Sequence, residues 1–127
     1  MKTPTERRVA LLVIAHGSRR AEANGELLEV AKELLSRGRY PIVEPSFLEL
    51  AEPTIAAGGA ACVRAGATDV ILTPYFLSPG KHVVEDLAAA RDALGLRFPA
   101  VRFTLAKPLG RHPLILDALE DRARDAE

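Results

Sequence analysis

A continuous run of apolar residues, VALLVIA at positions 9 to 15, places the strongest constraint on the fold of this 127-residue chain. A strand with one face in water alternates apolar and polar residues, so an unbroken run predicts a strand that is buried on both faces. Such strands are typical of parallel sheets, which are covered by helices on both sides. The run passes directly into His-Gly-Ser-Arg-Arg at positions 16 to 20, so polar side chains follow the strand without a spacer.

Strand-like and helix-like segments alternate along the rest of the chain. Pro45 favours an edge position for the second strand, because proline cannot donate a ladder hydrogen bond. Gly38, Gly66 and Gly95 are expected to end the first three helices, whereas the Gly58–Gly59 pair weakens the second helix. The predicted strands are 9–15, 41–48, 68–76 and 100–105, and the predicted helices are 21–38, 53–65, 83–94 and 113 to about 123. Four βα units in series predict one α/β domain over residues 1–127, a flavodoxin-like three-layer sandwich around a four-stranded parallel sheet.

The charge balance and the cysteine count argue against several function classes. Lys and Arg together number 17, as do Asp and Glu, and this zero net charge gives no support to a nucleic-acid or membrane-surface role. Cys62 is the single cysteine, which rules out an internal disulfide and favours a reducing compartment. We expect it to be a small buried core residue. The segment MKTPTERR lacks a signal-peptide pattern, and no apolar run is long enough to span a membrane. We therefore expect a cytoplasmic protein that binds neither nucleic acid nor membrane.

Polar residues follow every predicted strand. In an open parallel sheet, ligands bind beyond the carboxyl ends of the strands. His16, His82 and His112 all lie after strands, and Glu49 lies 33 residues after His16 and 33 before His82. Since one βα unit takes about 30 residues, His16, Glu49 and His82 are predicted to occupy equivalent places on three strands. Two imidazoles and a carboxylate suit a divalent transition metal such as Co²⁺, Ni²⁺, Fe²⁺ or Zn²⁺, and they also suit acid–base chemistry.

Other interpretations of the HGSRR segment are weaker or remain open. A phosphate loop would need more glycines and a lysine, and histidine phosphatases carry an arginine before the histidine, whereas Ala15 precedes His16 here. No Gly-x-Ser-x-Gly element supports a serine hydrolase. Ser18 is expected to be the N-cap of the first helix. Arg19 and Arg20 are either solvated helix-start residues or carboxylate binders. Rim histidines and glutamates can also be simply solvated.

Three segments taken together resemble a known family. The segments AHGSR, FLELAEPTI and PYFLSPGKHVVEDL are similar to the short sirohydrochlorin chelatases of the class II chelatase superfamily, and the resemblance runs from Val9 to about Leu119. It implies a lyase that inserts a divalent metal, with cobalt favoured over iron or nickel, into sirohydrochlorin during cobalamin or sirohaem synthesis. It also implies that no cofactor is needed beyond the substrate metal. Family members of this length pair as homodimers, so the second wall of the tetrapyrrole cleft is expected from a second copy.

The resemblance also implies roles for particular residues. His16 and His82 would bind the incoming metal, with Glu49 beside them as a third metal ligand. From the residue types, these three are also the candidate catalytic residues: the two imidazoles can in part accept the pyrrole protons, and Glu49 can either offset the charge of the metal or accept a proton. Charge and position, rather than the resemblance, make Arg19, Arg20, Lys81 and Arg111 candidates for binding the substrate carboxylates, and Ser18 is a further candidate for substrate binding.

Some residues on the same rim are expected to be structural, and two other functions stay open. Phe76, Leu77 and Leu105 are expected in the core rather than in a wall for the ring, and His112 is expected to pack at the start of the last helix.

Two functions other than that of a chelatase stay open. One is a non-catalytic metal or tetrapyrrole carrier on the same fold, and the other is an unrelated flavodoxin-like interaction domain.

Overall fold

The computed structural model describes residues 6–127 and contains four strands that alternate with four helices. The elements are β1 (Val9–Ala15), α1 (Ala21–Ser36), β2 (Ile42–Phe47), α2 (Ile55–Arg64), β3 (Asp69–Pro74), α3 (Lys81–Arg97), β4 (Arg102–Leu105) and α4 (Pro113–Asp125). The first five residues of the MKTPTERR segment lie outside the described residues. All eight predicted elements are confirmed, with shifted ends.

Both ends of the third helix were predicted wrongly. The third helix starts at Lys81 rather than at residue 83, and it continues through Gly95 to Arg97. A β-carbon built on Gly95 would meet no atom within 4 Å, and Gly95 does not take a left-handed conformation. A glycine in a helix interior costs only about 1 kcal/mol relative to alanine, so Gly95 does not end the helix. Gly38 and Gly66, in contrast, follow the first two helices with φ of 79° and 100°, as predicted.

The four strands form one parallel sheet in the order β2-β1-β3-β4. The apolar run of β1 therefore lies in the middle, and its residues from Ala10 to Ile14 are buried. Pro45 pairs in register with Val13 on the edge strand β2, which confirms the edge position. The flavodoxin-like α/β architecture predicted from the sequence is confirmed.

The two faces of the sheet carry different helices. On one face, α2 and α3 bury Cys62, Leu87 and Leu94 against β1 and β3. On the other face, α1 buries Leu27 against Leu11 and Val13 of β1, and it packs on β2 and β1. No residue of α4 is buried. The central sheet is therefore covered fully on one side and only in part on the other.

The glycine pair of α2 allows this helix to approach its neighbours closely. A β-carbon on Gly58 would lie 2.7 Å from Leu12 Cδ1, and one on Gly59 would lie 2.6 Å from Leu94 Cδ2. The helix forms despite the pair because Thr54 caps its start and accepts a hydrogen bond from the Ala57 amide at 3.2 Å. Close packing against β1 and α3 compensates for the low helix propensity of glycine.

Cys62 is fully buried in this packing, as expected. Burial, aided by the negative charge of Glu44, raises the pKa of the Cys62 thiol to about 12. The thiol is therefore protonated and unreactive at neutral pH. Within residues 6–127, no helix is both long enough and apolar enough to cross a membrane.

Candidate functional site

His16 and Glu49 meet at the carboxyl edge of the sheet. His16 directly follows β1 and Glu49 follows β2, and the Nε2 atom of His16 lies 2.9 Å from Oε1 of Glu49. The side chains are 53% and 55% exposed, so the pair is open to a ligand from solution. The backbones of the two residues are also joined, because the Glu49 amide donates to the His16 carbonyl at 3.0 Å. The predicted proximity of these two residues is confirmed.

Gly17 allows the two loops that carry this pair to touch. Its φ is 101°, and a β-carbon built on it would lie only 1.7 Å from the Glu49 carbonyl oxygen. An alanine there would meet both left-handed strain and a backbone collision. On the other side of the contact, Leu50 has a positive φ of 62°. Gly17 is thus a positioning residue for the His16–Glu49 pair, a role that the sequence analysis did not assign.

Asn24 holds the segment between His16 and α1. The Ser18 amide donates to Oδ1 of Asn24 at 2.9 Å, and Nδ2 of Asn24 donates back to the Ser18 carbonyl at 2.7 Å. The Ser18 hydroxyl accepts a hydrogen bond from the Arg20 amide at 3.1 Å. The prediction that Ser18 is the N-cap of α1 is wrong. The chain makes a turn after Ser18, and Arg20 takes the cap position without a side-chain hydrogen bond. The sequence analysis missed Asn24, whose signal was a turn-favouring residue in the first turn of a helix.

His82 lies apart from this pair. It is the second residue of α3, its side chain is 94% exposed, and its Nδ1 atom lies 3.8 Å from Oε2 of Glu85 in the same helix. Across residues 6–127, no three His, Cys, Asp or Glu side chains are grouped so that they could hold a metal ion. Equal spacing along the chain thus brings His82 to the same edge of the sheet but not into contact with His16 and Glu49.

The candidate carboxylate binders are available at this edge. Arg19, Arg20, Lys81 and Arg111 are exposed, and Ser18 is half-buried. None of the four cations takes part in an ion pair within the described part of the chain. They can therefore bind anionic groups of a ligand without first giving up an internal partner.

A groove of about 550 Å³ opens between the loop that follows β3 and the loop that follows β4. The lining is mostly apolar, and it includes two polar side chains, those of Ser78 and Arg111. The apolar residues are Leu77, Pro79, Val84 and Pro108. Leu77 is 60% exposed, so its predicted core role is wrong; it lies beyond the end of β3, in the loop that opens to solvent. A surface of this composition suits an apolar ligand that carries anionic groups.

The other rim residues have structural roles. Phe76 and Leu105 are partly buried and pack on the core, as expected, and the Phe76 ring also makes an edge contact with His16 at 6.2 Å between ring centroids. His112 is the N-cap of α4, and its Nδ1 atom accepts a hydrogen bond from the Leu114 amide at 3.1 Å. This confirms the expected role of His112 at the helix start.

The site therefore combines three chemical capacities. An imidazole in contact with a carboxylate can bind a borderline divalent metal, and either group can accept a proton. Unpaired cations can bind carboxylates. An apolar groove on the same edge can bind a flat ring.

Comparisons with known proteins identify the family of this chain. The model of the CbiX family matches residues 10–126. The chain is 39% identical to the chloroplastic sirohydrochlorin ferrochelatase of Arabidopsis thaliana over 88% of its own length, and it is 31% identical to the sirohydrochlorin cobaltochelatase of Methanococcus maripaludis over 90%. It covers 50% of the first of these relatives and 96% of the second.

A solved structure is also similar to this fold. The crystal structure of the sirohydrochlorin chelatase SirB from Bacillus subtilis subspecies spizizenii in complex with cobalt has a TM-score of 0.84 and 33% identity to this chain. The similarity covers 93% of this chain and 50% of the SirB chain. The chain thus spans about half the length of some relatives and nearly the whole length of others.

Proposed function

Because this chain belongs to the CbiX family, we propose that it is an enzyme that inserts a divalent metal ion into sirohydrochlorin. The observation that carries the proposal is the 2.9 Å contact between His16 and Glu49 at the open carboxyl edge of the sheet. Relatives named sirohydrochlorin cobaltochelatase and ferrochelatase support the same reaction class. We propose cobalt as the preferred metal and cobalamin or sirohaem synthesis as the pathway.

The reaction places two demands on this pair of side chains. The substrate metal must be held by a neutral imidazole, since a protonated ring has no lone pair to offer. The macrocycle must lose two pyrrolic protons as the metal enters, so a base must stand beside it. A metal and a proton compete for the same lone pair of His16. Glu49, in contact with that ring, is therefore proposed to balance the charge of the metal and to accept a proton.

The remaining predicted site residues complete the proposal. His82 would be a second imidazole ligand, and its exposure leaves the side chain free to turn toward an incoming metal. Arg19, Arg20, Lys81 and Arg111, with Ser18, would bind the carboxylates of the macrocycle. The apolar groove beside Leu77 would contact the ring itself.

The proposal also covers the domain organisation, the oligomeric state and the cellular compartment. We treat residues 1–127 as one domain whose open edge is one wall of the tetrapyrrole cleft, with a second copy in a homodimer as the other wall. Relatives of about twice this length support two such walls. A single buried thiol fits a reducing compartment, and we propose the cytoplasm.

A turnover assay tests the proposal. The initial rate of Co²⁺ insertion into sirohydrochlorin should exceed the spontaneous rate when the protein is present at far less than one equivalent, and Fe²⁺ and Ni²⁺ should be compared in parallel. Glu49→Gln should slow insertion. Glu29→Gln, at an exposed carboxylate on α1 paired only with Lys32, is the matched control and should not. Tight metal binding without any acceleration would instead identify a non-catalytic carrier.

A further inference from the structure

The loop between β2 and α2 is tied to the fold on both sides of its tip. The Phe47 amide donates to the Pro53 carbonyl at 2.9 Å, which closes the loop at its base. Leu48 packs on the core cluster on the side of α2 and α3, and Ala51 packs on the cluster on the side of α1. The chain before and after Leu50 is therefore fixed by packing and hydrogen bonding.

Leu50 itself has an unfavourable backbone conformation at the tip of this loop. Its φ is 62°, and within residues 6–127 it is the one residue other than glycine with a positive φ. In this left-handed region the side chain of a bulky residue crowds its own backbone, so glycine or asparagine is favoured there. Leu50 is 54% exposed and is a member of neither core cluster of the described residues. A leucine at this position therefore adds backbone strain and little core packing.

A leucine that is both exposed and strained indicates a function for its side chain. Strained residues persist where the surrounding structure imposes them, and they concentrate at binding and catalytic sites. Leu50 directly follows Glu49, whose carboxylate lies 2.9 Å from the His16 imidazole. An exposed leucine alone would need no explanation, but one that is held in this conformation beside the His16–Glu49 pair does.

A second exposed apolar surface lies on the other side of His16. Leu77, in the loop after β3, and Val84, in the first turn of α3, are 60% and 47% exposed, and both line the groove at this edge. Since β1 lies between β2 and β3 and neighbouring strands are about 4.8 Å apart, the loops of Leu50 and Leu77 leave strands about 10 Å apart. A flat apolar molecule that spans the edge over His16 would contact both leucines.

We propose that Leu50 is a substrate-contact residue, whose side chain packs against the face of the macrocycle while the adjacent Glu49 faces the metal. This role rests on the function proposed above and adds to it a reason for the strain at Leu50. Burying a whole leucine side chain changes an equilibrium constant by roughly ten- to a hundredfold. Because 54% of Leu50 is exposed, its removal should weaken sirohydrochlorin binding by about fivefold to tenfold.

Two substitutions that fit the left-handed conformation test this role. Leu50→Gly and Leu50→Asn remove the apolar side chain without adding backbone strain, so the unfolding midpoint should equal or exceed that of the wild type. The Kd for metal-free sirohydrochlorin, measured by absorbance titration, should rise about fivefold to tenfold. The KM for insertion should rise by the same factor while kcat stays nearly unchanged, because this contact forms when the ring binds.

Two further variants serve as controls. Leu50→Met keeps an apolar side chain at the tip of the loop and should bind the macrocycle as the wild type does. Leu96→Asn removes a leucine of α3 that is 85% exposed, and it should leave both the Kd and the KM unchanged. The mass of each variant in light scattering should equal that of the wild type.

The outcomes separate this role from the proposed function. An unfolding midpoint below the wild-type value in both left-handed variants would make Leu50 a structural residue, a changed mass would make it an interface residue, and either result would overturn the role. A wild type that binds sirohydrochlorin through Leu50 but inserts no metal would overturn the proposed function alone. A wild type that inserts metal, with Leu50→Gly and Leu50→Asn matching its Kd and KM, would overturn the role of Leu50 alone. A wild type that does not bind sirohydrochlorin would overturn both.

Discussion

Replacing Gly17 by alanine should move the two loops that hold the His16–Glu49 pair. The new β-carbon would lie 1.7 Å from the Glu49 carbonyl oxygen, and real contacts of this kind are not closer than 3.0 Å, so the backbone must shift by about 1.3 Å. Such a shift breaks the 3.0 Å hydrogen bond between the Glu49 amide and the His16 carbonyl. Left-handed strain costs about 1 kcal/mol or more and the lost bond about 1 kcal/mol, so we expect about 2–3 kcal/mol of destabilisation.

The effect of Gly17→Ala on metal insertion should exceed its effect on folding. A displacement of about 1 Å in a reacting group costs roughly a hundredfold in rate, so insertion should fall by about that factor while the chain stays folded. The assay compares initial insertion rates with unfolding midpoints by circular dichroism. Gly25→Ala, in α1 where a β-carbon would meet nothing within 4 Å, is the control and should keep the rate. A Gly17→Ala protein that inserts metal at the wild-type rate would refute the positioning argument.

Three further predictions concern the scaffold of the site and its core. Asn24→Ala removes two hydrogen bonds to the Ser18 backbone, so the free energy of unfolding should fall by about 2 kcal/mol and metal insertion should slow. An unchanged thermal unfolding midpoint would contradict the stabilising role of these two hydrogen bonds. Gly58→Ala places a β-carbon 2.7 Å from Leu12 and should cost about 1–3 kcal/mol in denaturant unfolding, whereas a stabilised variant would contradict the close packing. Because the pKa of Cys62 is raised from 9.0 to about 12, the stability that comes from its protonated thiol is complete below pH 9 and is lost as pH rises toward 12. The slope is about 1.4 kcal/mol per pH unit, and Cys62→Ala should be less sensitive to pH in that window.

The fold could be predicted because the pattern of apolar residues and the positions of proline and glycine are enough to indicate it. The unbroken apolar run of β1 indicates a central parallel strand, and Pro45 indicates an edge. The end of a strand also fixes which edge of the sheet a residue reaches, which is why His16 and Glu49 could be expected to meet. The exposure of α4 could not be predicted, because an amphipathic pattern shows that a helix has an apolar side but not whether its own fold covers that side.

The directions of the side chains in the site could not be predicted from the sequence either. Strand spacing fixes where the backbone of a residue lies, and side-chain direction depends on local bonds. His82 is therefore at the predicted edge but lies beside Glu85. Asn24 and Gly17 act through contacts with a preceding loop and with the backbone of Glu49. A residue type that favours turns marks such a position but does not show which atoms it contacts.

The rate of Co²⁺ insertion by a His16→Ala/His82→Ala protein tests the central claim most directly. Both side chains are largely exposed, so the variant should unfold at the wild-type temperature. With the imidazoles removed, insertion into sirohydrochlorin should fall to the spontaneous rate. A folded double variant that still accelerates insertion as the wild type does would contradict the account, because the metal would then enter the macrocycle without either histidine.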